Sequence, residues 1–150
     1  MDFSFISIAI TLFVVCVLPF LLYSLKNNKK RKIRFLNLEK IANQNNAVIH
    51  EKDIWNQSII GIDNKNKMLF FSKSSDEFDK FISVNISDLH SCSIEKTVSN
   101  HKAIEKLELE LKFADKPTIV LEFFNIKVSR IIINELELIQ KWHKLLKITT

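Results

Sequence analysis

An uninterrupted apolar stretch near the start of the chain, residues 3–25, constrains the fold more than any other feature. It contains no charged residue over twenty-three positions. A helix rises about 1.5 Å per residue, so this stretch would extend about 35 Å, enough to cross a hydrocarbon core of roughly 30 Å. A cleaved signal peptide is a poorer match, because Asp2 precedes the stretch and no small-residue cleavage pattern follows it. We therefore predict a transmembrane helix over residues 3–25.

A basic cluster follows the apolar stretch directly, and it predicts which way the helix would sit. Its members are Lys26, Lys29, Lys30, Arg31, Lys32 and Arg34. Since Lys and Arg accumulate on cytoplasmic flanks, the pattern indicates a single-pass protein of the cell (inner, cytoplasmic) membrane with its N-terminus outside. The same six residues are the candidate membrane-surface residues, because each cation near anionic headgroups contributes about 1 kcal/mol. Two interpretations stay open: the cluster only sets topology and anchors the helix, or it also senses anionic lipid.

The net charge of +5 belongs entirely to this beginning of the chain. Residues 1–34 hold six of the 22 Lys and Arg and one of the 17 acids, so the remaining sixteen of each cancel in residues 35–150. This balance argues against nucleic acid as a partner, since such proteins carry a basic patch in the folded domain. The two cysteines, Cys16 and Cys92, fall in different environments and fit a reducing compartment.

Residues 26–150 divide by the period of their apolar residues. Residues 26–46 form a basic juxtamembrane segment with a short helix over 35–46, which we expect to end in the Asn-rich run 43–46. After this run the apolar residues recur at every second position, as in β-strands. A short polar hairpin turn is predicted at 63–66 and a loop at 74–77. Seven strands are predicted, over residues 47–55, 58–63, 67–72, 81–86, 90–98, 106–113 and 118–124. The alternation is typical of an antiparallel sheet with one dry face.

A helical period returns at the C-terminus, over about residues 130–147. Asn134 and Glu137 offer a capping-box-like start. One broad apolar stripe comprises Ile131, Ile132, Leu138, Ile139, Trp142, Leu145 and Leu146. We expect this amphipathic helix to cover the apolar face of the sheet, which makes the domain α+β.

The residues that could carry chemistry are scattered. His50, His90, His101 and His143 stand singly in the sequence, whereas a metal site needs clustered ligands. His90 and Cys92 would share a face of a strand, but we interpret Cys92 as an ordinary core residue.

Two other groups of residues receive structural interpretations. Glu105, Glu108 and Glu110 could supply an acid–base pair, but Glu108 and Glu110 alternate with Lys106 and Lys112, which is the pattern of the solvated face of a strand. Trp55 and Trp142 are expected to be core or interface anchors. With no nucleophile elbow or phosphate-binding loop in the sequence, we expect no enzyme activity and no cofactor.

The order of the elements resembles a known architecture. Seven antiparallel strands followed by a Trp-bearing helix, with the hairpin IIGID…KMLFF and the helix ELELIQKWHKLL, resemble the pleckstrin-homology-like (PH-like) fold over residues 47–148. They are also similar to small bacterial membrane-tethered domains that have no assigned activity. The resemblance implies that residues 47–150 form a seven-stranded sandwich or partly open barrel capped by the C-terminal helix.

The function that the resemblance implies is binding or scaffolding of a protein partner, often along an exposed strand edge. Phosphoinositide-binding members carry spaced basic residues in the first hairpin, whereas the loop Trp55-Asn56-Gln57-Ser58 has none. The expected partners are therefore the lipid bilayer and a membrane or cytoplasmic protein. The alternative is a peripheral sensor of anionic headgroups that acts through the basic cluster.

Labelling of engineered cysteines tests the topology. A cysteine at position 2 should react with a membrane-impermeant maleimide added to intact cells, because this end is expected outside. A cysteine at position 150 should react only after the membrane is permeabilised. Reaction at position 150 in intact cells would overturn the cytoplasmic assignment.

Overall fold

The computed structural model describes residues 3–73, 80–100 and 102–149, and the predicted loop at 74–77 and His101 lie outside these ranges. The chain separates into two compact units, Met1–Ile33 and Arg34–Thr150. Within the described residues there are two helices and seven strands. Their bounds are α1 (Phe3–Gln44), β1 (Glu51–Trp55), β2 (Ser58–Asp63), β3 (Met68–Ser72), β4 (Ile82–Asn85), β5 (Leu89–Val98), β6 (Ile104–Phe113), β7 (Ile119–Asn125) and α2 (Glu135–Thr149).

Helix α1 is long and apolar enough over its N-terminal part to span a membrane. None of its most apolar window is buried against other described parts of the chain. The helix continues through the short helix predicted over residues 35–46, so the two predictions fall on one element. It ends at Gln44, inside the Asn-rich run as expected, and Asn46 follows with a positive φ of 53°. Asparagine tolerates this left-handed conformation better than most residues.

All seven predicted strands are confirmed, and they form two antiparallel sheets. The first sheet has the order β1-β2-β3-β4 and the second has the order β5-β6-β7. The strand predicted over 47–55 is shorter than expected and begins at Glu51. Its first residues are held outside the ladder, because the Ala47 N–H donates to the Ala42 carbonyl and the Val48 N–H donates to the Asp63 carboxylate.

One apolar core lies between the two sheets and α2. It includes Ile60 and Phe71 from the four-stranded sheet, Leu109 from the three-stranded sheet and Trp142 from α2, all buried. The Trp55 ring stacks on Phe123 with 4.6 Å between ring centroids. Its Nε1 also donates to the Phe123 carbonyl at 2.8 Å, which ties the two sheets together. Both tryptophans are thus core residues, as predicted.

Helix α2 starts later than the predicted residue 130. Asn134 precedes its first residue, and the Asn134 carbonyl accepts the N–H of Leu138 at 3.0 Å. The buried Glu135 carboxylate, rather than a capping box with Glu137, accepts the N–H groups of Ile133 and Asn134 at 2.7 and 3.0 Å. Ile131 lies before the helix and is exposed, so its inclusion in the buried stripe was wrong.

The expectation of a single dry face was wrong for the four-stranded sheet. Every residue of β2 is buried. A second apolar cluster forms on the outer face of the sheet, where Leu38 and Ala42 of α1 pack with Ile59 and Phe70. Gly61, the one glycine in the sequence, lies beneath this helix. A Cβ at this position would stand only 2.9 Å from Leu38 Cδ2. The absence of a side chain at Gly61 therefore permits the close approach of α1 to β2.

Replacing Gly61 with Val should lower the free energy of unfolding by about 1–3 kcal/mol, the usual cost of overpacking a core. Urea unfolding in detergent can be followed by tryptophan fluorescence, since both tryptophans lie in the unit Arg34–Thr150. Leu38→Ala provides the matched background, because it removes the two atoms that would lie nearest the new side chain, Leu38 Cδ1 and Cδ2. Gly61→Val should cost less in that background, and an equal cost in both would contradict the contact.

Candidate functional site

The basic cluster divides into two parts in the structure. Its first five members are exposed on α1: Lys26, Lys29, Lys30, Arg31 and Lys32. At about 100° of rotation per residue they point to all sides of the helix. We call these five residues the basic collar.

Arg34 is a correction to the predicted membrane-surface set. Its side chain is only 1% exposed, and its Nη1 donates to Ser72 Oγ at 3.0 Å. Arg34 lies four residues before Leu38 and eight before Ala42, so the three share the helix face that packs on the four-stranded sheet. The charge pattern alone did not reveal this, because Arg34 looks like one more member of the basic run.

A histidine and a carboxylate that no sequence pattern pairs lie together at the start of the four-stranded sheet. His50 Nδ1 is 3.4 Å from Asp63 Oδ1. The buried Asp63 carboxylate also accepts the backbone N–H groups of Val48, Lys65 and Asn66 at 2.8 to 3.0 Å and the Asn66 side-chain amide at 2.8 Å.

Burial alone would raise the pKa of Asp63, but these hydrogen bonds outweigh it and hold the pKa below its ordinary value. With its lone pairs occupied by donors, the carboxylate organises the β2–β3 turn and is a poor general base. An Asp that opens an Asn-rich turn was the available sequence signal for this role.

The suggested pairing of His90 with Cys92 does not occur. A register shift between Leu89 and Ser91 places His90 among the exposed residues while Cys92 is buried. Burial raises the pKa of the Cys92 thiol to about 11, although the positive charge of Lys147 acts in the opposite direction. The thiol is therefore protonated at neutral pH and unreactive. Among the described residues no three or more His, Cys, Asp or Glu side chains come together as a metal site.

Glu108 and Glu110 of β6 lie on the outer face of the three-stranded sheet, as the alternation predicts. Lys106 Nζ is 2.6 Å from Glu108 Oε1, and Lys112 Nζ is 2.9 Å from Glu110 Oε2. Hydrogen bonding to Glu108 raises the pKa of Lys106. Glu105 is exposed. This is the arrangement of a solvated face with paired charges.

Two clefts in the unit Arg34–Thr150 are small. One of about 20 Å³ is lined by Ser58 and Lys73, and it has room for little more than one water molecule. The other, of about 230 Å³, lies beside Glu39 and Val48. Small-molecule sites commonly occupy about 300–1,000 Å³.

Within the part of the chain that the structure describes, no strand pairs with the outer side of β5, and this edge is a more regular candidate site than either cleft. β5 has ten residues and lies at the edge of the three-stranded sheet, with α2 packed alongside. His143 Nε2 of α2 is 3.0 Å from the Cys92 carbonyl, which therefore faces away from β6. The register is continuous from Cys92 to Thr97. Because both backbone groups of a residue point to the same side of an antiparallel strand, the N–H and C=O of Ile94 and Lys96 also face outward.

We call this row of backbone groups at Ile94 and Lys96 the β5 edge. Its geometry suits addition of an extended segment, since an edge strand is a template for pairing. The edge lies next to a helix, so an added strand would contact α2 as well as the sheet. Comparison with protein-family models, curated proteins and solved structures found no match to this chain.

The lowered pKa of Asp63 predicts an acid-sensitive domain. The stability that comes from its charged form is fully present above the unfolded pKa, near 3.9, and is lost as the pH falls toward the lower folded value. We expect the free energy of unfolding to fall steeply below about pH 4 in the wild type and less steeply in Asp63→Asn. Asp115→Asn, on an exposed turn, changes the net charge equally and should keep the wild-type slope. The same slope in Asp63→Asn as in the wild type would contradict this role.

Proposed function

We propose that this protein is a single-pass membrane protein whose cytoplasmic PH-like domain binds or scaffolds a protein partner at the membrane. The observation that carries the binding role is the free β5 edge beside α2. The proposal has three components, namely the anchor, the fold relationship and the partner site, and each has separate support.

The membrane anchor is supported by the distribution of apolar residues around α1. Leu12, Phe13, Val14 and Val15 follow one another, point to four sides of the helix and are all exposed. A helix that lies in the plane of a membrane has one apolar face, whereas a spanning helix is apolar all round. The basic collar likewise surrounds the helix, which suits cations that reach headgroups on every side.

The PH-like relationship is supported by the order and grouping of elements. Four antiparallel strands are followed by three, and α2 packs on β5, β6 and β7 with Trp142 in the core. The C-terminal part of α1 adds a layer on the outer face of the four-stranded sheet. This layer covers the outer face of the four-stranded sheet at β2 and β3, which favours an edge or a loop as the site for a ligand.

The partner site is assigned to the β5 edge, where backbone groups supply affinity and neighbouring side chains supply selectivity. Lys96 pairs in register with the buried Leu107 and shares a face with Cys92 and Ile94, yet it is exposed. A charge on the core-facing side of an edge strand discourages pairing of two identical edges. This disfavours association of two copies and favours a partner with a complementary acidic group.

A second candidate function is sensing of anionic lipid by the basic collar. Its five exposed cations could each contribute about 1 kcal/mol near an anionic surface, an attraction that salt would screen. Lipid binding by the basic collar would not depend on the backbone groups of β5. One experiment can therefore distinguish the two candidate functions.

Lys96→Pro removes the outward N–H of the β5 edge without removing a ladder bond to β6, since proline is tolerated where the N–H faces away from the sheet. A photocrosslinking residue at the exposed Val98 should trap a discrete partner in intact membranes. We expect Lys96→Pro to lower adduct yield about tenfold, because loss of one backbone hydrogen bond and a new steric block cost about 1.4 kcal/mol.

Lys96→Ala is the matched control, because it removes the same side chain but keeps the N–H. It should retain most of the adduct. Equal yields from the two variants, or no discrete adduct from any version, would contradict partner binding at this edge. Salt-sensitive binding to anionic vesicles that both variants retain would favour the lipid sensor instead.

A further inference from the structure

The connection between β7 and α2, residues 126–134, presents apolar side chains to solvent. We call it the β7–α2 loop. Val128 is 58% exposed, Ile131 is 70% exposed and Ile133 is 82% exposed. Ile132, between the last two, packs against the core. Alternate isoleucines are therefore directed outward while the middle one holds the loop to the domain.

Hydrogen bonds brace this loop in its outward-facing form. The Val128 and Ser129 N–H groups donate to the Asn125 carbonyl at 2.9 Å, and the Lys127 N–H donates to Asn125 Oδ1 at 3.1 Å. At the other end the Ile133 N–H donates to the buried Glu135 carboxylate at 2.7 Å. Exposure of apolar area to water is unfavourable, so a braced loop that maintains it is suited to contact with an apolar medium or surface.

The charges within the loop point to the kind of surface. Residues 126–134 contain two cations, Lys127 and Arg130, and no acid, and both cations are exposed. Apolar side chains flanked by cations match an anionic bilayer, where the apolar groups enter the acyl boundary and the cations meet phosphates. The rest of residues 35–150 carries fourteen basic and sixteen acidic residues, a net charge of −2, so the loop stands out as a local basic excess.

We propose that the β7–α2 loop is a membrane-docking element that inserts Ile131 and Ile133 at the headgroup–acyl boundary of an anionic bilayer, with Lys127 and Arg130 on the phosphates. This inference rests on the proposed anchoring of α1 in the same membrane. A covalent anchor raises the effective concentration of the bilayer at the loop, so a contact too weak to recruit a free domain can be populated.

Fluorescence of the full chain in vesicles tests the docking. Ile133→Cys in a Cys16→Ser background carries an environment-sensitive nitrobenzoxadiazole label, and the buried Cys92 does not compete for it. The matched control is the same label on Asp115→Cys, an exposed position before β7, at the opposite end of that strand from the loop. A strand of seven residues separates the two sites by about 20 Å. Both proteins are reconstituted into vesicles of phosphatidylcholine alone or mixed equally with phosphatidylserine.

In the mixed vesicles we expect the label at position 133 to shift to shorter wavelength and to be quenched by spin-labelled lipid at least twice as strongly as the label at position 115. The excess should fall by more than half in phosphatidylcholine alone and in the Lys127→Gln, Arg130→Gln double variant. Equal quenching at the two positions would overturn the proposal. Protection of the position-133 label from aqueous iodide without lipid quenching would also overturn it, and would indicate that a protein or a second copy covers the loop.

Extraction of the same vesicles with alkaline carbonate distinguishes failure of the α1 anchor from failure of the loop docking. A chain that is released is not anchored by α1, and the proposed function and the docking both fail. A chain that is retained but unquenched at position 133 keeps its anchor and loses only the docking element.

Discussion

The burial of β2 on both faces is the constraint on which the domain depends. One face of Ser58–Asp63 meets the core shared with the three-stranded sheet and α2, and the other meets α1. The second contact requires a helix close to the strand, and Gly61 provides the space under Leu38. The same helix face carries Arg34 into the domain, where Ser72 accepts its hydrogen bond. The unit Arg34–Thr150 therefore begins within α1, ahead of the first strand.

Polar contacts between layers fix how the remaining elements fit around this centre. Asp53 of β1 accepts the Trp142 Nε1–H at 2.9 Å and pairs with Lys141 Nζ at 2.7 Å, so the four-stranded sheet holds α2 directly. The buried Glu135 also accepts the Asn56 amide at 3.3 Å, which joins the β1–β2 turn to the start of α2. Such contacts are directional, whereas apolar packing is not, and they select one placement of the helix over its neighbours. These contacts fix α2 on the sheets, whereas among the described residues the outer side of β5 has no pairing strand and the β7–α2 loop exposes apolar side chains.

Predictions from the sequence were correct in segments whose apolar residues recur with a single period. The alternation in β6 predicted Leu107, Leu109 and Leu111 as core and the glutamates as solvated, because strand geometry alone decides this. They were wrong where one residue fits two patterns at once. Arg34 belongs by charge to the basic run and by spacing to the face that carries Leu38. The charge and the spacing give opposite predictions for Arg34, and it is buried only because a sheet packs against that face of the helix.

His90 and Cys92 would likewise share a face in a regular strand, but a local register shift separates them. No residue type in this stretch predicts such a shift. The β5 edge was foreseen only as a property of the architecture, since edge position follows from strand order rather than from local pattern.

The distribution of charge sets the order in which membrane contacts could form. Residues 35–150 carry equal numbers of basic and acidic residues, so at distances beyond a Debye length of about 8 Å they offer little attraction to an anionic surface. The two cations of the β7–α2 loop act only at close range, and two exposed isoleucines act only on contact. Such a loop cannot bring the domain to a bilayer from solution, but it can hold a domain that is already there. The apolar part of α1 and the basic collar supply the two features that recruitment needs, a long apolar segment and concentrated charge. Anchoring would therefore come first and loop docking second. In the proposed arrangement, a loss of docking would change what the domain presents to the proposed partner, while α1 would still hold the protein in the membrane.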